Sequence, residues 1–414
     1  MRREQPRTLK KVRHSIAAPS EVAVSNSKVV EKARIARAEQ KRLINERKQA
    51  KPLGDVIHRA KKIWEQLRRK LVGPEERQKL IQELQDLVRG QIKELTFKHD
   101  ASRVVQTALK YGSKKVRAEI ATELKGTYVQ LAQSSYGKYL VVKLMHYGTP
   151  ETRKMVVEEF CGNVRKLIKH REASFVVEDC FREYGTPSQK ARLLREFYGL
   201  EFALFQQEED KNMELAKILE KNPEKREVIM KNLFELISQV VNKGAWFFSI
   251  VHKAMLEYIT NVTPGTTQCV EFLELVKEHV HDIGFTKDGA QAVMRCLASG
   301  SAKDRKVMLK SLKETADTMS AHEAGYLAIL TAYDVVDDTV LVSKSLFPKL
   351  QENLLDLATH KFGRIPLLYP FAGRKGRLLQ PSAVALLQEM DKIRATTRFV
   401  PLRGAPHMCC CSIL

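Results

Sequence analysis

The sequence predicts an all-α protein, a solenoid of about eight short helical repeats with one of them degenerate. Three observations carry this expectation. A five-residue pattern recurs as Ser102-Arg103-Val104-Val105-Gln106, Lys138-Tyr139-Leu140-Val141-Val142 and Ser174-Phe175-Val176-Val177-Glu178, 36 residues apart each time. A fixed period of this size signals stacked supersecondary units. Each copy runs to a matching stop, Tyr111-Gly112-Ser113, Tyr147-Gly148-Thr149-Pro150 and Tyr184-Gly185-Thr186-Pro187, where Gly ends one helix and Ser or Thr caps the next. No strand alternation interrupts the block. With 414 residues, 43% of them hydrophobic, the chain can bury several compact cores or one extended core, and the period selects the extended one.

Taken in order, residues 1–51 are basic, poor in aromatics and carry Pro6 and Pro19, a composition expected to be disordered when free. Lys28 to Lys51 suits a charged helix without a sustained apolar stripe. Residues 1–70 hold 21 Lys and Arg against 7 Asp and Glu, so most of the net charge of +22 sits there. Lys10-Lys11-Val12-Arg13 and Arg68-Arg69-Lys70 are clusters of the kind that bind nucleic acid or import receptors; the plainer reading is a solvated charged face. The overall balance points to a polyanionic partner.

Residues 52–90 read as a helical N-terminal cap. Pro74, Glu75 and Glu76 open a helix whose Leu80, Leu84, Leu87 and Val88 share a face, and Gly90 closes it. Three regular repeats fill residues 91–200. Residues 201–243 form a degenerate repeat or connection, because Gln206-Gln207-Glu208-Glu209-Asp210-Lys211 cannot be a buried helix; helical pattern resumes at Lys225 to Val241. Residues 244–397 carry weaker copies beginning at Ser249, Ala290, Gly325 and Arg364, at spacings of 41, 35 and 39. Residues 398–414 read as an irregular tail with a ninth repeat missing, as at a shortened terminus.

Several chemistries are disfavoured. Gly137-Lys138-Tyr139 lacks the upstream Gly and following Ser or Thr of a phosphate loop, and neither His-Glu-x-x-His nor Gly-x-Ser-x-Gly occurs, so no enzyme, cofactor or metal is expected. Asp334, Asp337 and Asp338 suit a helix start better than Mg²⁺, and His279 and His281 lack a third ligand. Cys161, Cys180, Cys269 and Cys296 are scattered singly, which fits a reduced intracellular compartment. The sequence has no apolar run of roughly 18 residues and no apolar region behind its basic start, so a soluble, non-secreted protein without a membrane partner is expected, and the Asn261-Val262-Thr263 sequon is a chance match. Cys411-Ser412-Ile413-Leu414 formally matches a prenylation box, with Cys409 and Cys410 beside it, but this conflicts with a nucleic-acid role.

Ser-Arg-x-x-Gln at 102–106, Gly-Lys-Tyr-x-Val-x-Lys at 137–143 and the 36-residue period resemble the Pumilio (PUF) family of RNA-binding repeats. The basic N-terminal region, the break after the third repeat and the segments Lys287-Asp288-Gly289-Ala290, Lys303-Asp304-Arg305-Lys306-Val307 and Tyr333-Asp334-Val335-Val336-Asp337-Asp338 resemble its divergent nucleolar Puf-A branch. The resemblance implies a right-handed α-solenoid of PUF-type repeats split into two sub-arrays, with one helix of each repeat on a concave face. There, the first and fifth pattern positions read a base edge and the second stacks on it.

Carried over residue by residue, Ser102 with Gln106 resembles an adenine reader with Arg103 stacking, and Ser174 with Glu178 a guanine reader with Phe175 stacking. Tyr139 can stack, but Val142 has no hydrogen-bonding group and Lys138 suits a phosphate. Two separated readers give little selectivity. Contacts from Lys98, Lys143, Lys166, Lys169 and Arg171 to the backbone, with stacking on Arg103, Tyr139 and Phe175, imply sequence-tolerant, salt-sensitive binding. The branch implies a monomeric protein of the nucleus and nucleolus that binds RNA, pre-rRNA above all, and DNA as well, alongside pre-ribosomal proteins in large-subunit assembly. The alternatives are an mRNA-binding translational regulator and a HEAT-like protein scaffold.

Overall fold

The computed structural model describes residues 34–44, 46–47, 53–69, 72–199, 201–202 and 214–397, and the described residues contain no strand. The cluster at Lys10 to Arg13, Lys70, the Gln206 to Lys211 run, the tail from 398 and the Cys411 box with Cys409 and Cys410 lie outside them. The chain divides into two compact units, Met1–Gly73 and Pro74–Leu414. In the first unit residues 34–44 form an exposed helix, and α1 (Gly54–Leu67) buries Ala60, Ile63 and Leu67 on one stripe.

The second unit opens with α2 (Pro74–Val88). It buries Ile81, Leu84, Gln85 and Val88, a stripe rotated from the expected one, with Leu80 and Leu87 only half-buried. Three triplets of helices follow: α3 (Ile92–Thr96), α4 (His99–Tyr111) and α5 (Lys114–Leu124); α6 (Tyr128–Gln133), α7 (Lys138–Tyr147) and α8 (Pro150–Phe160); α9 (Val164–Leu167), α10 (Ala173–Asp179) and α11 (Pro187–Arg195). Gly90, Gly126 and Gly162 precede the triplets at φ of 77°, 83° and 89°, a left-handed conformation that a side chain would strain. Ser113, Thr149 and Thr186 cap α5, α8 and α11 through their hydroxyl oxygens.

Two further periodic contacts recur, one in all three triplets and one in the first two. The carboxylate of Glu123 accepts from the N–H groups of Gly90 and Ile92, that of Glu159 from Gly126 and Val129, and that of Glu196 from Gly162 and Val164. Each outer helix thereby satisfies the orphan donors at the start of its own triplet. At the other end, Arg117 Nε donates to the Leu109 carbonyl and Arg153 Nε to that of Met145, both at 2.8 Å. The stops at Gly148 and Gly185 lie 37 residues apart rather than 36. The extra residue is absorbed where α10 runs on as a π-helical turn, Cys180–Tyr184.

Beyond the third triplet, α12 (Leu215–Lys221) and α13 (Arg226–Val241) occupy the degenerate slot. Then come α14 (Ser249–Asn261), α15 (Thr267–Val276), α16 (Val280–Ile283), α17 (Lys287–Ser299), α18 (Ala302–Leu312), α19 (Ala316–Ala321), α20 (Tyr326–Val335), α21 (Thr339–Glu352), α22 (Leu354–Thr359), α23 (Arg364–Ala372) and α24 (Pro381–Thr397). The helices α4, α7, α10, α14, α17, α20 and α23 pack in that order as one inner row. The result is an α-solenoid.

One backbone bond defines the true register of this row. The first pattern residue donates its N–H to a carbonyl four residues earlier in Ser102 to Lys98, Lys138 to Ser134, Ser174 to His170, His252 to Phe248, Ala290 to Thr286, Tyr326 to His322 and Arg364 to His360. Two expectations are corrected: the later first positions are His252 and Tyr326, not Ser249 and Gly325. Gly325 takes the place of Gly137, where a Cβ would meet the Met319 carbonyl at 2.9 Å as one on Gly137 would meet that of Leu131 at 2.8 Å. Sequence pattern alone chose the wrong frame because apolar pairs occur in both.

Candidate nucleic-acid interface

On α4, α7 and α10 the second pattern positions stand side by side on the inner row. Arg103 is exposed, and Tyr139 and Phe175 are 54% and 50% exposed, high for side chains of this size in helices otherwise packed on both flanks. Lys138 Nζ sits 4.9 Å from the Tyr139 ring centroid, and Phe175 meets Phe248 edge-on at 5.5 Å. These fixed, flat surfaces suit base stacking. One helical turn on, Lys143 lies half-buried near Lys110; burial, then the neighbouring charge, lowers its pKa. Holding two like charges together favours a bound anion.

The first and fifth positions are committed to the protein itself. Ser102 is fully buried; its hydroxyl donates to the Tyr136 carbonyl at 3.2 Å and accepts from Gln106 Nε2 at 3.1 Å. Lys138 Nζ pairs with Glu172 Oε2 at 2.5 Å, which raises the lysine pKa and lowers that of the carboxylate. Ser174 is buried. Glu178 is buried as well, and its carboxylate accepts from the N–H groups of Ser249 and Ile250 at 2.9 and 3.3 Å, capping α14. Burial raises its pKa although those N–H groups oppose the shift. The reading of Ser102 and of the Ser174–Glu178 pair as base-edge readers is therefore corrected: the Ser102 hydroxyl and the Glu178 carboxylate are buried and already engaged within the protein, and Ser174 is buried beside them. Gln106 alone keeps a half-exposed amide.

The expected backbone contacts separate into two groups. Lys166 is exposed on α9, and Arg171 is 94% exposed with only a 3.9 Å approach to Glu172. Lys98 sits half-buried at the start of α4. Lys169 is drawn instead into the joint with the degenerate repeat, donating to Gln239 Oε1 at 3.1 Å while its own carbonyl accepts from Lys243 Nζ.

Comparison with known proteins agrees with this geometry. Residues 101–125, 128–161 and 163–197 match the Pumilio-family RNA binding repeat, and residues 359–398 match the CPL (NUC119) domain. The chain is 40% identical over 362 residues to Pumilio homology domain family member 6 of Schizosaccharomyces pombe and 33% identical over 338 residues to human Pumilio homolog 3. Those matches cover 87% and 81% of this chain but 56% and 52% of the relatives, so the chain spans about half the length of the curated relatives it matches. The crystal structure of human Puf-A in complex with DNA superposes with a TM-score of 0.77 at 33% identity, covering 82% of this chain and 67% of that one. The chain belongs to the Pumilio-repeat family, in its Puf-A branch.

In this Puf-A-branch chain the later repeats have a different inner surface. At the corrected fifth positions stand Leu256, Met294 and Leu330, all buried, and Leu368, which is 48% exposed, where the first three repeats carry Gln106, Val142 and Glu178. Lys253, at a second position, is bound up with Glu257 and Asp288. Asp338 caps α21 by accepting from the Leu341 N–H, while Asp334 takes Tyr369 and Arg374 and Asp337 takes Arg394. Sequence reading missed two inner-row positions of the Puf-A-branch repeats. Lys110 and His146, exposed near the ends of α4 and α7, lie eight residues beyond Ser102 and Lys138 and were findable from that offset.

Proposed function

We propose that this Puf-A-branch chain binds single-stranded nucleic acid, RNA above all, with weak sequence preference along the inner face of its first three repeats. The observation that carries the reading is the adjacent exposed row of Arg103, Tyr139 and Phe175, with Lys110 and Lys143 close by and only Gln106 left to touch a base edge. Stacking and backbone charge tolerate any base; edge reading would need a run of unburied polar pairs. The human Puf-A crystallised with DNA supports the same reading, as does the net charge of +22. The chain acts on this proposal as a binding protein rather than an enzyme, in the nucleolus, on pre-rRNA during large-subunit assembly.

The test is the affinity of unrelated single-stranded RNAs for the full chain. Sequences of equal length should bind within about threefold of one another, and Tyr139→Ala should weaken all of them by about 1–3 kcal/mol. A strong preference for one motif, or a loss confined to one sequence, would overturn the reading.

A further inference from the structure

Helix α24 packs against two inner-row helices, α17 and α20. It lies on the face that carries the reading positions. Arg295, the sixth pattern residue of α17, pairs with Glu389 at 2.6 Å, and the Thr397 hydroxyl donates to the carbonyl of Ala298 at 3.3 Å. Beneath it Met294, Ala298, Leu330 and Thr331 have no exposure, whereas Lys110, the counterpart of Ala298 on α4, is exposed. From α24 itself Ala383, Leu387 and Met390 are buried. Around this apolar seat runs a clasp: Arg374 reaches Asp334 and Asp391, and Arg394 reaches Asp337 at 2.5 Å.

We propose that α24 is a built-in occupant of the inner face that seals α17 and α20 against nucleic acid, so that a bound strand is confined to the N-terminal part of the row. The side of α24 turned away from this seat carries Ala385, Gln388, Lys392, Ala395 and Thr396, all exposed, with Lys392 the single charge among them. It offers neither flat rings nor a cationic row to a phosphate backbone. An apolar seat flanked by these ion pairs is a stable dock, not a lid that opens for each strand. The proposal rests on the reading of function given above.

Hydrogen exchange on the full chain, free and with a single-stranded RNA, tests it. Strong protection of residues 381–397 in the free protein, unchanged by RNA, is expected, while α4, α7 and α10 gain protection. Rapid exchange of α24 in the free protein, or its loss of protection on adding RNA, would overturn the seal. A disulfide between Ala298→Cys and Thr397→Cys pins α24 in place: RNA affinity should stay within about twofold of the reduced form, and a tenfold loss on oxidation would overturn the proposal. If neither form binds RNA, the functional reading fails while protection of α24 in the free protein still decides the seal.

Discussion

The Glu178 carboxylate spans the sequence gap left by the degenerate repeat, joining α10 to the first N–H groups of α14, 71 and 72 residues away. A helix N-terminus without its acceptor leaves donors that water cannot reach when the end is buried. Glu178→Ala should therefore cost about 1–3 kcal/mol of stability, read as a lowered midpoint in denaturant. Glu178→Gln should recover most of it, because the amide oxygen still accepts. Base preference should not change in either variant. A variant of normal stability with altered preference for guanine would return Glu178 to the reading face. Lys138 is constrained similarly: its ammonium serves Glu172 of the next repeat, so its contribution to an inner-face strand is through the Tyr139 ring it covers.

Between elements, His252 locks α14 to α17. Nε2 pairs with the Trp246 carbonyl at 2.5 Å, and Nδ1 with Thr286 Oγ1 at 2.8 Å, the same oxygen that caps α17. Burial pushes the imidazole pKa from 6.5 down to about 4, against the pull of the Trp246 carbonyl and Asp282. The sign follows: above pH 6.5 the ring is neutral in both states, and as pH falls from 6.5 to 4 the unfolded chain takes up a proton that the folded chain resists. Stability should fall across that window by on the order of 3 kcal/mol, and His252→Gln should flatten that part of the profile. An unchanged pH slope in the variant would remove His252 as its source. The helices of the regular repeats were legible because Gly-Ser and Gly-Thr-Pro stops announce their ends locally. The register of α14 and α20 was not, since it rests on which N–H reaches which carbonyl. Likewise the Glu123, Glu159 and Glu196 staples pair residues about 30 positions apart, and α24 shows no repeat signal because its seat is formed by distant helices.

For the second unit as a whole, inner-face charge is unequal along the row, and that inequality sets a prediction about salt. Each phosphate neutralised on a single strand adds about 0.7 to the slope of log affinity against log salt. Lys110 and Lys143 share one spot, so neutralising both, Lys110→Gln with Lys143→Gln, should reduce that slope by about 1.4 and weaken every sequence alike. Arg295 stands in the same row and at the same pattern position as Lys143, yet it is paired with Glu389 under α24. Its neutralisation to Gln should leave the slope unchanged while lowering stability. Binding isotherms for two unrelated RNAs across a salt series measure both quantities together. Equal slopes for the Lys110/Lys143 variant and the parent chain would mean that the strand does not pass over α4 and α7. A reduced slope for Arg295→Gln would instead put phosphates over α17, where the chain has laid its own helix.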